Sequence, residues 1–234
     1  MALKISVIIP TYNEAQHIAQ TVNMVKKRAD QLATLELIIV DASSNDGTQD
    51  IVQQLDGVLL CDSPARGRAA QMNYGAAQAS ANILYFLHAD TVPPQDFDRH
   101  ILAFSKPHQQ AGCFRMKFDS SHWWLRLAGW GTRFRYKFCR GGDQSLFVTK
   151  ALFLKAKGFD ESFVICEDLN LIDRLWGETY FGVLAPHVTS SARTYYSKGI
   201  WNLQYHFWVL QYKYRRGQDP LRLYGYYQKH VQSQ

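Results

Sequence analysis

Three acidic positions, each closing or opening an apolar run, are the residues of this chain best suited to chemistry: Asp41 in VDASSNDGT, Asp90 in LHAD, and the pair Glu167–Asp168 in CEDLN. A hard divalent cation such as Mg2+ or Mn2+ takes one or two protein carboxylates and leaves its other positions to water and substrate phosphates. A carboxylate within reach of a hydroxyl can also remove its proton. His88 stands two residues before Asp90, which on an extended backbone puts both side chains on one side. Its imidazole can bind Mn2+ or hydrogen-bond a phosphate. Arg66 and Arg68 flank Gly67 at the head of an Ala-rich segment, where guanidinium forks can hold a diphosphate. In GGDQ at 141–144, paired glycines precede an acid, the pattern of a close backbone approach to a ligand. Each feature has a plainer alternative. Acids at strand ends and in first helical turns are caps, a lone histidine is a satisfied half-buried side chain, and two arginines are a solvated surface.

The elements that must position these groups alternate regularly. Residues 4–10 (KISVIIP) are a β-branched run, the pattern of a strand buried on both faces. The spacing of Ile18, Val22 and Val25 predicts a helix over 13–27, with Asn13 or Glu14 available to cap it. Strands follow at 35–40, 57–61 and 83–87, and helices at 49–55 and 67–80. Strands alternating with helices at this interval predict βαβ units and a parallel sheet. Ligands of such sheets sit at the carboxyl ends of the strands, where this chain reads PTYNE, VDASSNDGT and LHAD. Beyond about residue 105 the pattern loosens: an edge strand at 114–118, a strand at 145–148, and helices at 150–157 and 167–176.

With 234 residues, 26 Lys and Arg against 20 Asp and Glu, and 47% apolar residues, the chain is long enough for its own core and too apolar for intrinsic disorder. No uninterrupted apolar run approaches the roughly 20 residues that span a bilayer. The opening MALKISVIIP is too short an apolar core for a secretory signal. A cytoplasmic protein is therefore expected. Cys61, Cys113, Cys139 and Cys166 form no CxxC pair and read as reduced thiols. The net charge of +6 with interleaved aromatics is compatible with nucleic acid, but no recognition motif accompanies it, and no nucleic-acid partner is expected. Neither a glycine-rich dinucleotide turn nor a GxxxxGK[ST] loop is present, which also argues against a nucleotidyltransferase.

Taken together and in order, SVIIPTYNE, VDASSNDGT, LHAD, GGDQ and CED resemble the family-2 glycosyltransferases, over about residues 4 to 185. The resemblance implies an α/β fold of GT-A type: a Rossmann-like, mostly parallel sheet flanked by helices. A glycosyltransferase domain would occupy 1–185, with a nucleotide-sugar half to about 105 and an acceptor half over about 106–185. A helical aromatic and basic appendage would occupy 186–234. It further implies that Pro10, Tyr12, Glu14 and Asp41 frame the nucleoside, and that Arg66, Gly67, Arg68 and Ala89 contact the donor. Asp90 would hold Mn2+ or Mg2+, Gly142 and Asp143 would line the acceptor side, and Asp168, beside Glu167, would be the general base of inverting transfer. The family's DxD motif reads His88–Ala89–Asp90 here, so its first acid is replaced and metal dependence is put in question. The QxxRW motif of processive synthases is absent, SARTYY being a distant echo, which favours single-sugar transfer. A nucleotide-sugar-binding subunit without turnover shares the donor features. The expected donor is a UDP-sugar, the acceptor a hydroxyl.

From residue 187 onward the chain is rich in Trp, Tyr, Lys and Arg, with Asp219 its single acid. In a helix from about Ile200, the positions Leu203, Phe207, Leu210 and Tyr214 share one side. The plain account is packing on the sheet. The sharper one is a helix lying on anionic lipid, joined to the similar stretch 123–140, with a lipid-linked acceptor and a peripheral location at the inner face of the membrane.

Overall fold

The computed structural model describes residues 4–31, 34–141 and 144–232. The apolar runs ISVIIPT and LELIIVD become β1 (Ile5–Thr11) and β2 (Leu35–Asp41). The remaining strands are β3 (Leu59–Asp62), β4 (Ile83–Phe86), β5 (Thr91–Val92), β6 (Ala111–Phe118), β7 (Leu146–Thr149) and β8 (Phe181–Ser190), and all eight join one sheet in the order β3-β2-β1-β4-β7-β6-β8-β5. Strands β3, β2, β1 and β4 run parallel. They are linked through α1 (Ile18–Arg28), α2 (Thr48–Gln53) and α3 (Arg68–Gln78). Strand β7 enters antiparallel beside β4, and β6 lies between β7 and β8. The sheet is thus mixed and mostly parallel.

Alternating side chains of β1 feed the two layers. Ile5, Val7 and Ile9 pack with Ile18, Val22 and Val25 of α1 on one face. Ile8 packs with Met72 and Ala76 of α3 on the other. Each fully buried side chain of this kind contributes about 1.5–3 kcal/mol, and those of β1 are all buried.

The structure differs from the sequence reading in several places. Helix α1 starts at Ile18, five residues late, and neither Asn13 nor Glu14 caps it. Asn13 takes a left-handed backbone (φ 55), and the amides of Glu14 and Ala15 donate to Thr48 Oγ1 and Asp46 Oδ2, so the turn after β1 is tied to the loop after β2. Residues 114–118 are interior, because β8, unforeseen, covers β6 in parallel. That pairing is close: a Cβ on Gly112 would lie 2.6 Å from Phe147 Cζ and 2.7 Å from the Gly182 carbonyl oxygen. Helices α4 (Phe97–Phe104) and α5 (Trp123–Gly131) were also not foreseen. The chain closes with α6 (Lys150–Lys155), α7 (Glu167–Glu178), α8 (Arg193–Lys198), α9 (Ile200–Arg215) and α10 (Pro220–Tyr227). Strand β8 runs continuously through position 186, where the appendage was expected to begin.

Candidate active site

The strand ends meet as the sheet order dictates. Thr11 closes β1 opposite Asp41 of β2, and Thr11 Oγ1 donates to Asp41 Oδ2 at 2.9 Å. The carboxylate also accepts from Ser44 N, Ser44 Oγ and Gln49 Nε2 at 2.6–2.8 Å. Asp41 is fully buried and holds the SSNDGT loop in shape. From α3, Gln71 Nε2 donates to the carbonyls of Thr11 and Val40 at 2.7 and 2.8 Å, which joins the two strand ends. Gly67 sits at the head of α3 with φ 121, a backbone that an L side chain rarely adopts.

Above this floor lies a cleft of about 720 Å3. Pro10, Tyr12, Glu14, Arg68, His88, Ala89, Asp90, Glu167 and Asp168 all line it. Asp41, Arg66 and Gly67 do not, although the Arg66 guanidinium lies 5.5 Å from the ring centroid of Tyr12 at the rim. Gly142 and Asp143 lie outside the described residues, while their neighbours Gly141 and Gln144 line the cleft.

Strand β4 ends at Phe86, so His88 and Asp90 stand on a turn closed by Thr91 N donating to His88 O at 3.1 Å. They meet different partners. His88 Nε2 lies 4.0 Å from Asp168 Oδ2. Burial, with the Arg68 charge beside it, pushes the imidazole pKa down to about 3, and the ring is neutral. Asp90 Oδ2 instead lies 3.4 Å from Arg193 Nη2, which also donates to Glu14 Oε1 at 2.8 Å. Burial works against the Arg193 charge, but Glu14 and then Asp90 outweigh it and move the guanidinium pKa up.

Glu167 and Asp168 open α7 after Cys166, whose left-handed backbone (φ 61) sharpens the entry. Both are buried. Arg68 Nε lies 2.8 Å from Glu167 Oε1, whose side chain is only 1% exposed. Buried carboxylates of this kind are rare unless paired, and both of these line the cleft wall.

The lining also includes an apolar limb, formed by Phe118 and Met116 of β6, Trp124 of α5, and Leu203, Phe207 and Leu210 of α9. Leu203 and Leu210 are buried, with Phe207 and Tyr214 packed beside them, as the spacing predicts. Trp124 Nε1 donates to Gln204 Oε1 at 3.1 Å. Tyr214 donates to Asp173 Oδ2 at 2.9 Å, and Lys137 Nζ lies 3.3 Å from Asp173 Oδ1, which fixes α9 to α7.

A family model, Glycosyl transferase family 2, matches residues 6–163. The chain belongs to that family. Among curated relatives, glycosyltransferase AglE of Haloferax volcanii is 36% identical over 98 residues, 40% of this chain and 32% of that protein. An undecaprenyl-phosphate 4-deoxy-4-formamido-L-arabinose transferase of Aeromonas hydrophila is 29% identical over 132 residues, 52% of this chain and 39% of the relative. This family-2 chain therefore spans well under half the length of either. The mannosyltransferase PcManGT from Pyrobaculum calidifontis, solved in complex with GDP-Man and Mn2+, matches with a TM-score of 0.70 at 18% identity, over 99% of this chain and 69% of that one. S. aureus TarS 1–349 in complex with UDP matches with a TM-score of 0.67 at 19% identity, over 81% and 60%. The fold is that of the GT-A glycosyltransferases.

A family-2 site of this kind implies a divalent cation. Among the described residues no three Asp, Glu, His or Cys side chains converge into a metal cage. The acids nonetheless fit a cation whose shell the substrate completes. Glu14 Oε2 is buried without a hydrogen-bond partner, Asp90 shares Arg193 with it, and His88 is in the neutral imidazole form that metals take. Sequence reasoning missed Arg193 as a site residue. Its signal was SARTYY, read as a departure from a motif, when the β5–β8 ladder (Thr91 opposite Ser190) brings that segment beside Asp90.

Proposed function

We propose that this chain transfers a single sugar from a nucleoside diphosphate sugar to an acceptor hydroxyl with inversion, and that Asp168 is the general base. The observation that carries the reading is a buried carboxylate at the start of α7 facing the same cleft as Asp90, Arg68 and the Tyr12 rim. The exposed Tyr12 ring, above a strand end locked by Asp41, offers a stacking surface for the base, UDP being the favoured nucleotide. Arg68 and Arg193 supply forks for the diphosphate. Asp90 with His88 would hold Mn2+ or Mg2+, which when bound supplies charge against the leaving diphosphate. Asp168 accepts the acceptor's proton as its oxygen attacks the anomeric carbon, and a single in-line displacement inverts that centre.

The apolar limb supports a lipid-linked acceptor. The elements that carry it, α5 and α9, with the segment after α5, also expose Trp123, Trp130, Tyr136, Phe138, Trp201, Tyr205 and Trp208. The rings of α5 and α9 there meet, Trp123 and Trp124 lying 5.7 and 5.2 Å from Trp201, and no acid interrupts 120–141 or α9 among the described residues. No helix among them is long and apolar enough to cross a membrane, so this reading is of peripheral contact.

Asp168→Asn tests the base. A base acts in the transition state, so turnover should fall about 10²–10⁴-fold while nucleotide affinity by calorimetry stays within error. Normal turnover in that variant would remove Asp168 from the role.

A further inference from the structure

Two acids on the donor side of the cleft compete for one cation from the far end of the chain. Arg193 Nη2 sits 2.8 Å from Glu14 Oε1 and 3.4 Å from Asp90 Oδ2. The approach is built in. Strand β8 pairs with β5 through Ser190 opposite Thr91, one residue from Asp90. Ala192 N donates to Asp119 Oδ1 at 2.6 Å, which fixes where α8 begins. Arg193 is the first residue of that helix, which puts its fork within reach of the two acids. Glu14 Oε2, buried and without a hydrogen-bond partner, leaves the pair short of positive charge even with Arg193 in place.

A guanidinium and a divalent cation seek the same carboxylate oxygen. Where both are within reach, each lowers the other's affinity, because adding the second places two cations on one acid and forfeits the first one's bond. Phosphate oxygens change that balance. A diphosphate offers the displaced fork a bidentate partner and offers the metal the ligands that Asp90 alone does not supply.

We infer that Arg193 is a resident placeholder cation on Asp90 and Glu14, which excludes a divalent metal from the empty site and makes metal and nucleoside diphosphate bind as a unit. This rests on the donor-site reading given above. Arg193 occupies Asp90 until a diphosphate arrives, then exchanges its carboxylates for phosphate oxygens. The metal and nucleotide affinities are consequently coupled, each raising the other by the same factor.

Mn2+ binding to the full chain, followed by the loss of the free-Mn2+ electron paramagnetic resonance signal, tests this with and without UDP or GDP. Wild type should bind Mn2+ alone weakly and at least about tenfold more tightly with one of the nucleotides. Arg193→Met should bind Mn2+ alone about tenfold more tightly than wild type, and the nucleotide's effect on Mn2+ should shrink accordingly. A gain of affinity on removing a side chain is not what loss of structure would produce, and an unchanged thermal midpoint checks the fold. Asp90→Asn in the Arg193→Met background should cancel the gain. If Arg193→Met binds Mn2+ no better than wild type while nucleotide still binds both, the placeholder role is overturned and the donor site stands. If neither nucleotide binds either protein, both readings fall.

Discussion

Glu167 is a carboxylate almost wholly out of water, matched by one guanidinium: Arg68 Nε at 2.8 Å, with Glu167 Oε2 left without a hydrogen-bond partner. Because Arg68 is half exposed, the pair itself is worth little, yet removing its cation strands a buried charge. Arg68→Ala should therefore cost about 1–3 kcal/mol in urea unfolding, and adding Glu167→Gln should return most of that loss. Additive losses in the double variant would show that the two side chains do not act as a pair. At this scale the sequence was readable where a residue's neighbours along the chain announce it. Asp168 and Glu167 at a helix start, and His88 and Asp90 at a strand end, all reach the cleft. Asp41 and Arg193 were legible in type only. Asp41 turns into its own loop through Ser44 and Gln49, a local Asx-type pattern, whereas which acid a distant arginine finds depends on a contact far along the chain, and no local pattern encodes that.

Among elements, the parallel half was legible because β1, β2 and β4 are largely buried on both faces and declare it in apolar runs. Strand β8 was not. Its exposed and half-buried positions, with Pro186 inside it, mimic a loop, and its place beside β6 is a tertiary choice. The β6–β8 contact is where that choice can be tested. A methyl on Gly112 would meet the Gly182 carbonyl at 2.7 Å and Phe147 Cζ at 2.6 Å. A ring can rotate away, but a ladder carbonyl cannot move without breaking strand pairing. Gly112→Ala should lower stability by about 1–3 kcal/mol, and Phe147→Leu in the same chain should not restore it. Full rescue by the smaller side chain would show that the ring, and not the backbone approach, sets the limit.

Across the molecule, the cleft joins polar strand ends to an apolar limb whose helices α5 and α9 also expose tryptophans and tyrosines. Aromatic rings settle at headgroup depth, and exposed Arg126, Arg133 and Arg215 add about 1 kcal/mol each near an anionic surface. The chain should float with vesicles containing anionic lipid, less so with neutral ones, and the difference should shrink as salt shortens the Debye length below about 10 Å. Trp123→Ser with Trp201→Ser should abolish flotation and leave nucleotide affinity intact. No flotation of the wild-type chain at low salt would restrict α9 to packing. The two walls of the cleft are also far apart in the order of synthesis. Tyr12 and Asp90 come early, whereas Arg193, Leu203, Phe207 and Leu210 come after β8 is complete. At about 5–20 residues per second, a ribosome needs roughly two to eight seconds to add the stretch from β8 to the last described residue. Throughout that interval Trp124 and the apolar limb stand open, so the nascent chain is at its stickiest until α9 has been added. A chain released at that stage would carry the floor of the cleft and the Glu167–Asp168 pair, without the wall that α9 adds.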